Sequence, residues 1–144
     1  MTEPGTLALV FHLSKAVHRA SSDELLGMRL RQFMVLSYLD RQAPAQQQQL
    51  CETLMLDPNN CVLLLNELET AGWTQRRRDS ADRRRHVVDL TDEGRRALER
   101  ARRAQEGLED EMLAALDPGE REQLRELLRK AVVGLREREP ATAA

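Results

Sequence analysis

The 144 residues hold 22 Lys and Arg against 24 Asp and Glu, a formal charge of −2, with 41% hydrophobic and only 3% aromatic side chains. This supplies one domain, or one compact subunit of an oligomer, with a core resting on leucine and alanine. It excludes wholesale disorder, and no apolar run approaches the ~18 residues of a membrane span. The opening MTEPGTLALVFHL lacks the basic region of a signal peptide, so a soluble, cytoplasmic chain is expected. In such a chain Cys51 and Cys61 do not suggest a disulfide scaffold.

Taken in chain order, the pattern is mostly helical. Leu7, Val10, Phe11, Ser14, Val17 and His18 share a face of a helix near 6–20, and Ser21–Gly27 breaks it. A second helix at 30–41 is apolar on most sides and is expected to be central and buried. After Pro44 a short helix covers 45–54, with Leu50, Cys51 and Leu54 inward, and a turn follows at Met55–Leu56. Asp57 as N-cap and Pro58 at the first position open a fourth helix, 58–71, which Gly72 ends. Residues 73–78 and 85–90 read as two strands around the turn chemistry of Asp79-Ser80-Ala81-Asp82.

Thr91 caps a fifth helix over 92–116, with acids in its first turn. Leu98, Ala101, Gln105, Leu108, Met112 and Ala115 recur along it in steps of three and four, a heptad seam suited to a second subunit or to packing within the chain. Asp117-Pro118-Gly119-Glu120 starts the last helix, 118–137, expected to bury Leu124, Leu127, Leu128, Ala131 and Leu135. The tail from 139 to 144 is expected to fray.

Charge is segregated along this order. Residues 45–71 hold four acids and no Lys or Arg, whereas 72–86 hold six arginines against Asp79 and Asp82. A basic island in a neutral-to-acidic chain is the footprint of a polyanion contact, or else a solvated arginine loop. Helix, turn, helix, strand, basic loop, strand is the order of a winged helix-turn-helix. The helix that starts at Asp57 suits a major groove, with Asn59 and Asn60 near base edges. The arginine-tipped hairpin suits phosphates or a minor groove.

The stretch LLNELETAGWTQRRRDSADRRRHVVDLTDEGRRAL, from Leu64 to Leu98, resembles the MarR family of bacterial transcriptional regulators. Leu68-Glu69 with Gly72 looks like the family's end of the recognition helix, DSADRR like its wing tip, and Leu90-Thr91-Asp92-Glu93-Gly94 like the start of its long dimerisation helix. Gly27 with Arg31-Gln32-Phe33 resembles the start of the second helix, and the helix order extends the likeness over nearly the whole chain.

The resemblance implies a mostly α, α+β winged-helix fold. Its parts are a dimerisation helix at 1–28, a winged helix-turn-helix at 29–90 and dimerisation helices at 91–138. It implies a homodimer on double-stranded DNA with a pseudo-palindromic operator, and repression released by a small phenolic or aromatic ligand. Carried onto this chain, DNA contacts fall on Gln46, Gln47, Asn59, Asn60, Val62, Leu63, Arg76, Arg77, Arg78, Arg83 and Arg84. By the same likeness Arg84 is the paired or phosphate-clamping residue and Arg83 enters the minor groove. His12 and His18 lie near the family's ligand cleft, although either can be an ordinary histidine.

Two departures stand out. Arg29 replaces the usual Ser or Thr cap of the second helix. The helix-turn-helix itself carries no Lys or Arg and has Val62 and Leu63 where family members often have polar residues. Phosphate binding then depends on the wing, on Arg29, Arg31 or Arg41, and on Gln46–Gln49. A winged-helix protein-interaction module without DNA reading is the alternative. Cys51 and Cys61 read as small buried core residues. No metal-ligand cluster, nucleophile–base pair or glycine-rich phosphate loop appears, so no metal, cofactor or enzyme is expected.

Overall fold

The computed structural model describes residues 2–138; the expected frayed tail at 139–144 lies outside them. The elements are α1 (Thr6–Ala20), α2 (Asp23–Leu26), α3 (Leu30–Gln42), β1 (Ala45–Gln46), α4 (Gln47–Thr53), α5 (Pro58–Thr70), β2 (Thr74–Arg78), β3 (His86–Leu90), α6 (Asp92–Met112) and α7 (Pro118–Arg138). The chain divides into two compact units, Met1–Leu108 and Glu109–Ala144, with the boundary inside α6. No described helix is long and apolar enough to cross a membrane.

In the first unit, side chains from five elements meet in one core. Leu36 and Leu39 of α3, Leu50 of α4, Leu65 and Leu68 of α5, Val88 of β3 and Leu98 of α6 are fully buried, each worth about 1.5–3 kcal/mol of transfer. As expected, α3 is central and contributes Phe33, Val35, Leu36, Tyr38 and Leu39. The sheet runs β1-β3-β2, antiparallel throughout, with Ala45 opposite Val88 and Arg78 opposite His86.

Both helices of the helix-turn-helix end the same way. After α4, Leu56 N–H reaches the Cys51 carbonyl at 2.9 Å and Met55 N–H reaches that of Glu52 at 3.1 Å. After α5, Trp73 and Gly72 make the same pair of bonds to Leu68 and Glu69, at 3.0 Å each. Such an ending needs a left-handed residue at its centre. Gly72 adopts it freely at φ 80°, whereas Met55 adopts it at φ 55° with a side chain to accommodate.

The wing joins α6 through one threonine. The Thr91 hydroxyl donates to the Gly72 carbonyl at 2.6 Å and accepts from Gly94 N–H at 3.0 Å, while Thr91 N–H reaches the Trp73 carbonyl at 3.0 Å. Gly94 is required there, because a Cβ would stand 2.1 Å from the Trp73 carbonyl oxygen.

Several expectations are corrected. The break at 21–27 contains α2, where Ser22 caps Leu25 N–H and Gly27 ends the turn at φ 71°. Residues 45 and 46 are a strand, so the third helix starts at Gln47, and Gln46 belongs to β1. The fifth helix stops at Met112, where Arg121 Nε takes the Leu113 and Leu116 carbonyls at 3.1 and 3.2 Å. Leu98 and Ala101, which open the heptad seam, pack into the chain's own core.

In α7 no residue is buried, and Leu127, Leu128 and Leu135 stand exposed. The expected burial of Leu124, Leu127, Leu128, Ala131 and Leu135 is thus not met among the described residues.

Cys51 and Cys61 are also corrected. They are bonded to each other, with Cα atoms 5.9 Å apart. Each was placed correctly on an inward face, but the turn at Met55–Leu56 folds those two faces against each other.

Candidate nucleic-acid interface

Asp57 organises the start of α5. Its Oδ1 accepts from the backbone N–H of Asn59 and Asn60 at 3.0 and 3.1 Å, and its Oδ2 accepts from the Asn60 side-chain amide. Asn60 is therefore engaged in the cap, while the Asn59 side chain is exposed. At 3.6 residues per turn, Asn59, Leu63, Asn66 and Thr70 stand opposite the buried Cys61, Leu64, Leu65 and Leu68. Val62 lies on the flank nearer Glu69. Leu63 is 61% exposed and Val62 40%. A shallow depression of about 530 Å³ runs beside Leu63, lined also by Asn66, Glu67, Thr70 and Ala71.

The two acids of α5 are both held by arginines from outside it. Arg29, which caps nothing with its side chain, pairs with Glu67; Gln32 does the capping at that site by accepting Arg29 N–H at 2.9 Å. Arg76 pairs with Glu69 at 2.9 Å and also donates to the side-chain amide oxygen of Asn66, Oδ1. Bonds from the Arg76 side chain, then from its backbone N–H, hold the Glu69 carboxyl below its ordinary value. Arg76 thus fastens β2 to α5, a role that residue type alone does not distinguish from a DNA contact.

The wing is less cationic than its sequence. Arg77 pairs with Asp89 at 2.9 Å. Arg84 pairs with Asp82 at 3.2 Å, as expected, and Arg85 shares that carboxylate at 3.6 Å. The Arg84 side chain, then its backbone N–H, lowers the Asp82 pKa. Arg78 braces the tip by donating to the Arg83 carbonyl at 2.8 Å. Among the described residues no acid pairs with Arg78 or Arg83. Sequence reasoning missed Arg85, which also donates to Gln46 Oε1 at 3.4 Å and so ties the wing to β1. The register of Gln46 opposite Val87, invisible in the linear pattern, produces that contact.

Gln47 is half-buried at the start of α4, and Arg31 and Arg41 are exposed. His12 and His18 are exposed on α1, and six residues of helix turn them about 120° apart. The described residues hold no cluster of three or more metal-ligating side chains.

The site thus joins a helix with neutralised acids and an exposed outer face to a hairpin whose tip arginine, Arg83, has no acid partner among the described residues. Residues 26–85 match the model of the MarR family. Over those residues the chain is similar to the MarR family.

The uncharacterized HTH-type transcriptional regulator YkoM of Bacillus subtilis (strain 168) is 29% identical over 118 residues, 82% of this chain and 77% of that protein. A crystal structure of MarR superposes with a TM-score of 0.84 at 22% identity, covering 96% of both chains. A MarR variant from E. coli complexed with operator DNA is 25% identical with a TM-score of 0.75, covering 86% of this chain and 91% of that one. CouR from Rhodococcus jostii RHA1, bound to p-coumaroyl-CoA, is 26% identical with a TM-score of 0.75, covering 86% and 88%. The relatives matched by sequence, YkoM and the regulator HosA of Escherichia coli, are described as transcriptional regulators.

Proposed function

We propose that the chain acts as a cytoplasmic homodimeric repressor that binds a pseudo-palindromic operator and is released by a small aromatic or phenolic ligand. One observation carries the DNA reading: Arg29 and Arg76 neutralise both acids of α5, and Arg83 at the wing tip has no acid partner among the described residues. Without those two pairs the carboxylates would repel phosphates. With them α5 enters the major groove while Arg83 reaches a phosphate or the minor groove. Gln46, Gln47, Asn59, Val62, Leu63, Arg78 and Arg84 border that surface.

The homodimer is supported by apolar side chains open to solvent on α1 and on α7, among them Leu7, Phe11, Leu127 and Leu135. An effector is supported by the likeness to CouR, with His12 and His18 as candidate contacts. The test is binding to the DNA just upstream of the chain's own gene, with and without aromatic acids, and sedimentation of the free protein. Salt-dependent binding by a dimer, weakened by one of the acids, is expected. No duplex binding at low salt would favour the protein-interaction reading, for which Val62, Leu63 and the Arg-free α4 and α5 are the argument.

A further inference from the structure

We propose that the outer face of α5 reads thymine methyl groups, so that A·T pairs rather than guanine define the half-site beneath it. This rests on the DNA-binding reading above and adds its base preference.

Guanine is most often read by a bidentate Arg or Lys, and α4 and α5 carry neither. The polar side chains of α5 that could substitute are mostly engaged within the subunit. Asn60 holds Asp57, Asn66 accepts from Arg76, Glu67 holds Arg29 and Glu69 holds Arg76. What faces outward near the start of the helix is Asn59, then Leu63 one turn later, with Val62 on the flank.

A leucine 61% exposed on the outer face of a packed helix leaves apolar surface in water until a partner covers it. Charge selects the occupant. The acids at positions 67 and 69 are neutralised, Asp57 sits on the positive end of the helix, and Arg83 is unpaired at the neighbouring wing tip. An apolar centre with a cation at its margin complements a groove with apolar groups on its floor and phosphates along its walls. In the major groove that apolar group is the thymine C5-methyl. Asn59 adds a reader for the adenine N6/N7 edge.

The experiment uses the full-length protein. Duplexes are selected from a random library, and each thymine of a selected duplex is then replaced by uracil, which removes the methyl and leaves the hydrogen-bonding edge unchanged. Expected are A·T pairs at the selected half-site positions and an affinity loss of about fourfold per methyl removed under α5, the weight of one buried carbon. Leu63→Ala, at an exposed position, should fold normally and bind the thymine and uracil duplexes equally at its own site. Affinity indifferent to uracil, or a guanine-defined consensus, overturns the proposal and leaves the DNA-binding reading standing. So does a Leu63→Ala protein that retains the full methyl dependence, unless Val62→Ala removes it. Failure of the folded parental protein to retain any duplex overturns both.

Discussion

Glu69 and Arg76 are joined by three hydrogen bonds across the gap between recognition helix and wing. The Arg76 backbone N–H reaches Oε1 at 3.0 Å, and its Nη2 and Nε reach Oε2 at 2.9 and 3.3 Å. The carboxylate thus accepts both a guanidinium fork and a strand amide that β2 does not use elsewhere. It fixes where the wing stands relative to α5.

That bond has a pH signature. The Glu69 pKa is lowered in the folded chain from an ordinary 4.5. Its contribution to stability is therefore present above 4.5 and lost as pH falls through the lower folded value. Glu69→Gln should be less stable than the parental protein at neutral pH, by up to about 1 kcal/mol because the carboxyl side chain is 36% exposed and solvent screens it. The deficit should close below pH 4.5. Urea melts of both proteins at several pH values check this; a constant deficit would contradict it.

Gly94 should tolerate no side chain. A Cβ there would meet the Trp73 carbonyl oxygen at 2.1 Å and Leu90 Cδ1 at 2.9 Å, and the first is backbone already bonded to Thr91 N–H. Relief requires moving α6 away from the wing. Gly94→Ala should cost about 3 kcal/mol, read as a fall in thermal midpoint, whereas Gly107→Ala, with open space around it, should be neutral or slightly stabilising.

The bond between Cys51 and Cys61 clamps α4 to α5 across ten residues of chain. Closing so short a loop contributes about 2.5 kcal/mol through the unfolded state. Unfolding without reductant should expose no thiol to a labelling reagent, and unfolding with reductant should expose two. The paired Cys51→Ser and Cys61→Ser variant should melt lower by a comparable amount. Stoichiometric labelling of the non-reduced native protein would rule the bond out.

The dimer reading predicts a response to charge on the open apolar faces. Phe11 is 61% exposed and Leu127 65%, so glutamate at either position removes little from the single chain's own packing. If these faces meet a second subunit, the parental protein sediments as a dimer at micromolar concentration. Phe11→Glu and Leu127→Glu then weaken association at least tenfold, because each buries a charge in an apolar seam. A folded parental monomer at that concentration would overturn the reading.

What the sequence disclosed follows from the range of the interactions involved. Asp57-Pro58, Gly72 and Thr91 are punctuation whose chemistry acts within a few residues, and they set α5, its end and the start of α6 as expected. The strand at Ala45–Gln46 is two residues long and exists through its pairing with Val87 and Val88, which no local pattern contains. The arginines were legible as an island but not in their roles. Arg76 and Arg29 are committed to acids seven and thirty-eight residues away, and only the folded chain decides which cations remain unpaired. The leucines of α7 misled because a periodic apolar face predicts burial without specifying whether the burying surface belongs to the same chain.

The same ion pairs rank the wing arginines as electrostatic anchors. Arg77, Arg84 and Arg85 already face Asp89 or Asp82, so moving one of them onto a phosphate breaks an existing pair, and the net neutralisation gained is small. Arg83 has an exposed side chain at the tip and, among the described residues, no acid to leave. Each phosphate neutralised contributes close to one unit to the slope of log affinity against log salt. Arg83→Ala should therefore reduce that slope by about one unit per subunit and weaken binding to all duplexes alike. Arg77→Ala should leave the slope nearly unchanged. Arg84→Ala should fall between, because its side chain is 91% exposed although paired, and it also frees the Asp82 carboxylate. Asn59→Ala should instead cost roughly 1–3 kcal/mol at particular base pairs with the slope intact. Anisotropy titrations over a range of salt, on one selected duplex and one scrambled duplex, separate these outcomes. Equal slopes for the parental and Arg83→Ala proteins would mean that the wing tip does not touch the phosphates, and the anchor would then have to be sought at Arg31 or Arg41.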